Sequence, residues 1–371
     1  MRLGIIVNDL SAEAPHDDAL GLALTATRRG HETWMMSAPG LRSLPNGSVA
    51  ALAHETRPAV GTSTDALARA VRSPESRSHV IELDHLDALM IRADPSGTTT
   101  GNSWIGAANA AFGRLVAERR VIVLNDPLGN LGAATKIYLQ HLPEASRPDM
   151  LVSRDPGELK SFAACHGGRA VIKPVVGSSG RNVFLLRSDD HQNANQMIDA
   201  VTREGQAIAQ EYVPAAASGD VRLLLLNGRP LERDGRYAAV RRVAAPGDFR
   251  NNGNVGAERL RADVSDAMIA ATEHLAPRLI SDGLFLVGVD VAGDKILEIN
   301  VSSPGGLGWA TRFEGIDFYT PVIEAIERKV EALRGFNGAY RNAYWATFDP
   351  ASDGSPPADG PQLPQKPAVG L

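Results

Sequence analysis

The chain of 371 residues has a single cysteine, Cys165, so it can form no internal disulfide and no Cys-based zinc site. Its nine histidines show no metal-ligand spacing. Basic residues are not in excess. The 38 Lys and Arg stand against 43 Asp and Glu, a formal charge of −5, so no bulk positive field favours nucleic acid or an anionic membrane. No apolar run approaches the roughly 20 residues of a membrane span. No charged leader precedes the strand-like Ile5-Ile6-Val7, so no signal peptide is expected. The Gly-x-Ser-x-Gly elbow of nucleophilic hydrolases is missing as well. What remains is the composition of a soluble cytoplasmic protein acting on small molecules, 43% hydrophobic and 22% charged. The length suits two or three domains.

The order of elements is that of an α/β protein. Leu3–Val7 reads as a strand, Asn8–Asp18 as a polar loop, Leu20–Arg29 as a helix stopped by Gly30, and His31–Met36 as a strand again. Ala88–Ile91 is a buried strand, and a helix near Ala107–Glu118 leads to a strand at Val121–Leu124. Asn125-Asp126-Pro127 breaks this pattern, and a helix near Leu131–His141 then carries Lys136. Strands at Met150–Ser153 and Ala170–Lys173 flank a helix at Pro156–Cys165. From Asp220 onward the chain reads as antiparallel, with a turn at Asn227-Gly228. Arg250–Gly256 has no period and reads as a mobile loop. The expected organisation is an N-terminal α/β domain over residues 1–122, a central lobe over 123–210, a C-terminal lobe over 211–335 and a disordered Pro-rich tail over 346–371.

Two stretches carry chemistry. In Val171-Ile172-Lys173-Pro174-Val175-Val176-Gly177-Ser178-Ser179-Gly180, a lysine ends a strand just before a glycine-rich turn. The turn can bring backbone N–H groups close to an anion, and Lys173 adds a full charge. In a P-loop the glycines precede the lysine and a helix follows; here the lysine comes first and a strand follows. The stretch therefore reads as a strand–turn–strand flap over a polyphosphate, the alternative being a plain hairpin with a solvated lysine. In the second stretch, Asp290 to Asn300, Glu298 and Asn300 share one strand face while Leu297, Ile299 and Val301 take the other. A three-residue turn, Gly293-Asp294-Lys295, sets Asp290 opposite Glu298; a two-residue turn would put it on the other face. Opposed carboxylates repel, and Mg2+ between them, completed by phosphate oxygens, removes that cost. The alternative is a wet face with solvated charges.

Asp220 and Arg222 share a strand face, and Arg241, Arg242 and Arg250 follow; such a basic group can grip a transferring phosphoryl group and a carboxylate, or simply protect a strand edge. Arg92-Ala93-Asp94-Pro95 lies just past a strand's C-terminal end, where open α/β sheets bind ligands. Arg92 is a candidate for a substrate carboxylate or for an ion pair with Asp94.

The segments Val171–Gly180, Ala209–Pro214, Gly219–Arg222 and Phe285–Pro304, in this order, resemble the ATP-grasp superfamily and within it the bacterial glutathione synthetases. The similarity runs from about Leu3 to about Val330. It implies an ATP-grasp fold preceded by an open α/β domain, and an ADP-forming ligation of a carboxylate to an amine through an acyl phosphate. Glutathione formation from γ-glutamylcysteine and glycine is the first expectation. A ligase for another dipeptide or amino-acid pair is the second, and a non-catalytic ATP-sensing module is the rival of another class. The resemblance further implies that Lys136, Lys173 and the flap Gly177, Ser178, Ser179 and Gly180 contact ATP phosphates, that Glu211, Tyr212 and Val213 hold adenine, and that Asp220 lies near the ribose. Asp290, Glu298 and Asn300 would hold Mg2+, with Mn2+ as a substitute. Arg222, Arg242, Arg250 and Asn252 would serve the reacting centre. Arg92, Asp94, Ser302, Ser303, Pro304, Gly305 and Gly306 would border the substrates. A homo-oligomer, dimer or tetramer, is expected on the same basis. Three features depart from the family's pattern: Ser303-Pro304 is followed by Gly305-Gly306-Leu307-Gly308-Trp309, in the region expected to help bind the incoming amine; Arg250–Ala257 is less glycine-rich than the family's loop; and the Pro-rich tail is extra.

Overall fold

The structure, a computed structural model, describes residues 1–12, 17–57, 63–73, 76, 78–94, 104–177, 180–187, 193–203, 205–251 and 256–356. Three sheets organise it. The first has the order β4-β3-β2-β1-β5-β6, from β1 (Arg2–Val7), β2 (Glu32–Ser43), β3 (Val49–Thr56), β4 (Ser78–Glu82), β5 (Ala88–Ile91) and β6 (Ile122–Leu124). Its β1, β2, β5 and β6 pair parallel, while β3 and β4 pair antiparallel at one edge. Helix α1 (Asp18–Arg28), α2 (Thr64–Arg72) and α3 (Trp104–Ala117) cover its faces, and apolar side chains of α1 and α2 pack with Leu3, Ile5 and Met35 in one core. The hairpin and α2 are additions to the β–α–β opening that the sequence suggested.

The second sheet, order β7-β10-β8-β9, is antiparallel and joins β7 (Met150–Ser153), β8 (Arg169–Pro174), β9 (Phe184–Arg187) and β10 (Ala207–Glu211). Helices α5 (Pro156–Cys165) and α6 (Ala194–Thr202) bury Leu159, Ala163, Ile198 and Val201 against it. The third sheet has the order β16-β15-β11-β17-β18. Its strands are β11 (Asp220–Leu226), β15 (Ala239–Val243), β16 (Glu258–Arg261), β17 (Leu286–Ala292) and β18 (Lys295–Asn300), with short pieces β12 (Arg229–Pro230), β13 (Glu232–Arg233) and β14 (Arg236–Tyr237) between. Asn227 and Gly228 both take positive φ, 52° and 77°, as a two-residue primed turn demands.

Helix α4 (Pro127–Ala133) is N-capped by the Asp126 carboxylate, which accepts the Leu128 and Gly129 N–H groups at 3.0 Å each. The single helix expected near Leu131–His141 is in fact two pieces, α4 and a 3-10 turn over Lys136–His141. Both rest on the C-terminal lobe rather than the central one: Ala133, Tyr138 and Leu139 share a core with Leu223 and Val289. Gly129 touches the end of α7 (Asp266–Ser281) so closely that a Cβ would lie 1.8 Å from the Asp282 carbonyl oxygen. Gly129→Ala is therefore expected to cost about 1–3 kcal/mol of overpacking, read as a lower Tm with lowered ligase activity as Lys136 shifts.

After β18 come α8 (Leu307–Glu314), α9 (Tyr319–Arg334), α10 (Asn342–Thr347) and α11 (Pro350–Asp353). The disordered tail expected over 346–371 does not begin at 346. Trp345, Ala346 and Phe348 are buried in the core with Phe285 and Phe318, because these aromatics cover the seam between the first and third sheets. Residues 357–371 lie outside the described residues. No helix among the described residues is long and apolar enough to cross a membrane.

Candidate active site

The carboxylate hairpin reaches its predicted register by an unpredicted route. Gly293 at φ 63° and Asp294 make a two-residue turn that pairs Ala292 with Lys295. That alone would put Asp290 on the wrong face. A β-bulge restores the phase: Val291 pairs with Ile296, Asp290 pairs with Glu298, and Leu297 is the extra residue. Leu297, expected on the far face by strict alternation, lines the cleft with Glu298 and Asn300, and its carbonyl accepts from Gln210 Nε2 at 3.2 Å. The base of the hairpin is stitched by Asn125, whose amide donates to the carbonyls of Leu286 (3.1 Å) and Val301 (2.7 Å) and accepts from the Leu286 N–H (2.9 Å).

Asp290 is 3% exposed and sits among arginines. Arg222 binds it in a bidentate manner, with Nη2 2.9 Å from Oδ2, and Arg242 Nη2 is 2.9 Å from the same oxygen. Arg242 also spans Asp220 at 2.7 and 2.8 Å, across a β11–β15 register that sets Asp220 opposite Arg242. Burial alone would raise Asp290, but Arg222 and Arg242 outweigh it and hold it below the usual carboxylate range. Burial raises Asp220, against the pull of Arg242. Arg241, included in the predicted basic group, points to the other face, as alternation along β15 requires, and donates to the Ser218 carbonyl at 2.8 Å.

The lysine flap faces this hairpin. Lys136 Nζ lies 2.8 Å from Glu298 Oε1 and also donates to the Gly177 carbonyl, while its backbone N–H donates to Val175 at 3.0 Å. Lys173, at the end of β8, is 7% exposed. Burial pushes its pKa down to about 8, with Glu298 opposing and Lys136 adding to the shift. Burial would raise Glu298, but Lys136 and Lys173 outweigh it, and its carboxyl sits below its ordinary value. Gly180 adopts φ 69°, a left-handed conformation that favours glycine. Arg250 Nη1 donates to the Gly180 carbonyl at 3.1 Å, while Asp248 holds its other nitrogens.

One cleft of about 1010 Å3, mouth included, unites these groups. Lys136, Lys173, Gly177, Gly180, Asp220, Arg242, Arg250, Asp290, Glu298 and Asn300 line it, as do Glu211, Tyr212 and Val213 at the link between the second and third sheets. Arg222 stands behind Asp290 rather than in the lining. Ser178, Ser179 and Asn252 lie outside the described residues. Arg92 and the Ser302–Gly306 segment meet at a separate place on the sheet's ligand edge: Arg92 Nη2 donates to the Pro304 carbonyl at 2.9 Å, Ser302 receives Asn130 Nδ2 at 3.4 Å, and Ser303 and Gly305 are exposed. Asp94 is half-buried just beyond β5. Sequence reasoning missed Val171, Gln210 and Phe249 as lining. It also missed Asp18, whose carboxylate takes the N–H groups of Gly306, Leu307 and Gly308. A polar loop ending in Asp17-Asp18 before an apolar helix was the only signal.

At the hairpin, Lys136 pairs with Glu298, Lys173 lies near that carboxylate, and Arg222 and Arg242 hold Asp290 and Asp220 between them. Among the described residues no three His, Cys, Asp or Glu cluster as a complete metal cage. The donors that do converge, two opposed carboxylates and the Asn300 amide 3.4 Å from Asp290, are hard oxygens of the kind that bind a divalent ion shared with phosphate. A polyphosphate drawing the lysines to itself would free Glu298 for such an ion, and Asp290 would join it as Arg222 and Arg242 release one of its oxygens; the donors are of the right kind.

Comparison with known proteins agrees with this reading. Residues 1–129 match the prokaryotic glutathione synthetase N-terminal domain, and residues 135–314 match the prokaryotic glutathione synthetase ATP-grasp domain. A glutathione synthetase of Synechococcus elongatus is 31% identical over 89% of this chain and 99% of its own length. One of Nostoc is 28% identical with the same coverage, 89% and 99%. The crystal structure of D-cycloserine synthetase shares the fold, with a TM-score of 0.59 over 90% of this chain and 100% of that one at 16% identity. The two matched domains, the shared cleft and the full-length relatives together place the chain in the prokaryotic glutathione synthetase family, as an ATP-dependent, ADP-forming ligase of the ATP-grasp fold that makes amide bonds and whose family uses a divalent metal.

Proposed function

We propose that the chain joins γ-glutamylcysteine to glycine, with Mg2+ held by Asp290, Glu298 and Asn300. The observation that carries this is the single cleft in which the lysine–glycine flap faces the carboxylate hairpin. Lys136 and Lys173 exchange Glu298 for phosphate oxygens, and the flap N–H groups close over them. The Glu211 N–H is taken by Asp149 and the Val213 carbonyl by Ala216. An adenine edge at this link is therefore read by the Glu211 carbonyl and the Val213 N–H, which match its amino group and ring nitrogen. A carboxylate oxygen of the dipeptide attacks the γ-phosphorus, and ADP leaves. The glycine nitrogen attacks the acyl carbon, and phosphate leaves. The bound Mg2+ supplies charge neutralisation on the phosphates. Arg242 and Arg222 set the direction of the carboxylates, and Arg250 lines the cleft beside the flap, where it donates to the Gly180 carbonyl. Arg92, through the Pro304 carbonyl, holds the segment that borders the substrates. A cytoplasmic homo-oligomer completes the proposal; light scattering on the eluted protein reads its size.

The glycine-rich Gly305–Gly308 segment favours a second reading, an amine other than glycine. Release of ADP with γ-glutamylcysteine separates the two. Glycine is expected to stimulate it at least tenfold over the dipeptide alone and above every other amine in a panel of amino acids. No stimulation by glycine rejects the first reading.

A further inference from the structure

Asp18 opens α1 just after the loop that leaves β1, and Arg92 directly follows β5. Because β1 lies between β2 and β5, these two residues straddle the switch point of the sheet, where open α/β proteins hold ligands. Here protein occupies that crevice. Asp18, 6% exposed, accepts the N–H groups of Gly306 (2.7 Å), Leu307 (3.0 Å) and Gly308 (2.9 Å) and the Tyr319 hydroxyl (2.8 Å). Arg92, also 6% exposed, holds the Pro304 carbonyl at 2.9 Å. A carboxylate on the first turn of α8 meets the positive end of that helix, so these bonds are charge-assisted. The N-terminal domain thus grips the 304–308 segment at two points with opposite charges.

The gripped segment backs the reacting centre. A Cβ on Gly288 would lie 3.0 Å from both Arg222 Cδ and Pro304 Cβ, and a Cβ on Gly306 would lie 3.6 Å from Arg222 Cγ. A methyl at Gly288 or Gly306 would meet the stem of Arg222, so the segment lies beside that stem, whose head holds Asp290. Asp18 thus holds the segment that neighbours the Arg222–Asp290 pair. We infer that Asp18 is a positioning residue for the ligation: it fixes the Ser302–Gly306 wall of the amine site and, behind it, the Arg222–Asp290 pair, with Arg92 as the second handhold. The inference rests on the reading that this segment borders the amine.

The test compares steady-state ADP release by the full chain and by Asp18→Asn, with ATP and amine varied separately. The amine KM is expected to rise at least tenfold while the ATP KM stays within twofold, and amide exchange at Gly306–Gly308 is expected to speed up selectively. Tyr319→Phe removes one of the four bonds without touching the charge, and is expected to raise the amine KM about threefold. An amine KM within twofold of the parent in folded Asp18→Asn overturns the inference. A parallel rise in both KM values also overturns it, because that marks a general loss of fold. If Asp18→Asn does not fold, an unchanged amine KM in Tyr319→Phe overturns it instead. Lack of stimulation by glycine in the parent rejects only the substrate reading. The variants are then compared on whichever amine of the panel stimulates most.

Discussion

Glu298→Gln is expected to lower kcat by about a thousandfold, the scale seen when one preorganised charge-stabilising group is removed from a closed site. The change is nearly isosteric and lies on a strand whose register is fixed by its neighbours, so the fold persists. The carboxylate does two jobs that an amide cannot. It meets Lys136 at 2.8 Å, and it faces Asp290 across the hairpin, where it adds a negative charge that Arg222 and Arg242 do not hold. In the variant Lys136 and Lys173 face an uncharged amide, which favours bare ATP and disfavours the metal. The expected pattern is retained ATP binding, a shallow dependence of turnover on Mg2+ and a stability loss of about 1–2 kcal/mol from the unpaired Lys136. Stopped-flow or coupled assay of ADP release against Mg2+ concentration reads it. Turnover within tenfold of the parent means that Glu298 does not hold the metal.

Lys173→Ala is expected to weaken ATP binding by about ten- to a hundredfold, the worth of one hydrogen bond to a charged group at about 1.5–3 kcal/mol. Lys160→Ala is the control: Lys160 sits on α5 and bonds Asn195 on the surface, and its loss is expected to leave ATP affinity within twofold. Isothermal titration gives both values. The burial that lowers Lys173 to about 8 adds a pH signature. Above that value the empty protein holds a neutral amine, so ATP must bind together with a proton, and affinity falls as the pH rises from about 8 towards 10. Stability runs the other way. The unfolded chain keeps its lysine protonated up to the ordinary value of about 10.4, so between the two values it binds more protons than the folded chain, and the empty protein gains stability as pH rises through that window. Lys173→Ala should flatten both slopes. An ATP affinity independent of pH in the parent would show that the lysine is not at the phosphates.

Much of this site was legible because strand parity is strict. Glu298 and Asn300 on one face, Asp220 with Arg222, and Lys173 at a strand end before glycines all follow from a period of two and from the conformational freedom of glycine. The bulge at Leu297 was not legible: an extra residue costs one register step, and a two-residue turn plus a bulge has the same length as a three-residue turn without one. Lys136 was found, but its helix was not. Gly129 and Gly132 let α4 end early, and the 3-10 turn that follows is held by Tyr138 bonding Asp282, a contact 144 residues away in sequence. The antiparallel pair β3–β4 escaped notice because Ala50, Ala51 and Ala53 are buried without giving a strong apolar signal. The buried Trp345 and Phe348 were obscured by the Pro-rich stretch after them. Asp18 is the sharpest case. Its partners lie 288 to 301 residues away, and only the folded chain shows that its charge is spent on the turn that departs from the family's pattern.

The central claim is that the flap and the carboxylate hairpin close on one triphosphate and its metal. A crystal structure of the full chain with ADP and Mg2+ tests it most directly. The account predicts the phosphates between Lys136, Lys173 and the 177–180 turn, with the ion touching oxygens of Glu298 and its hairpin neighbours. Nucleotide bound elsewhere, or an ion that leaves Asp290, Glu298 and Asn300 untouched, would contradict it.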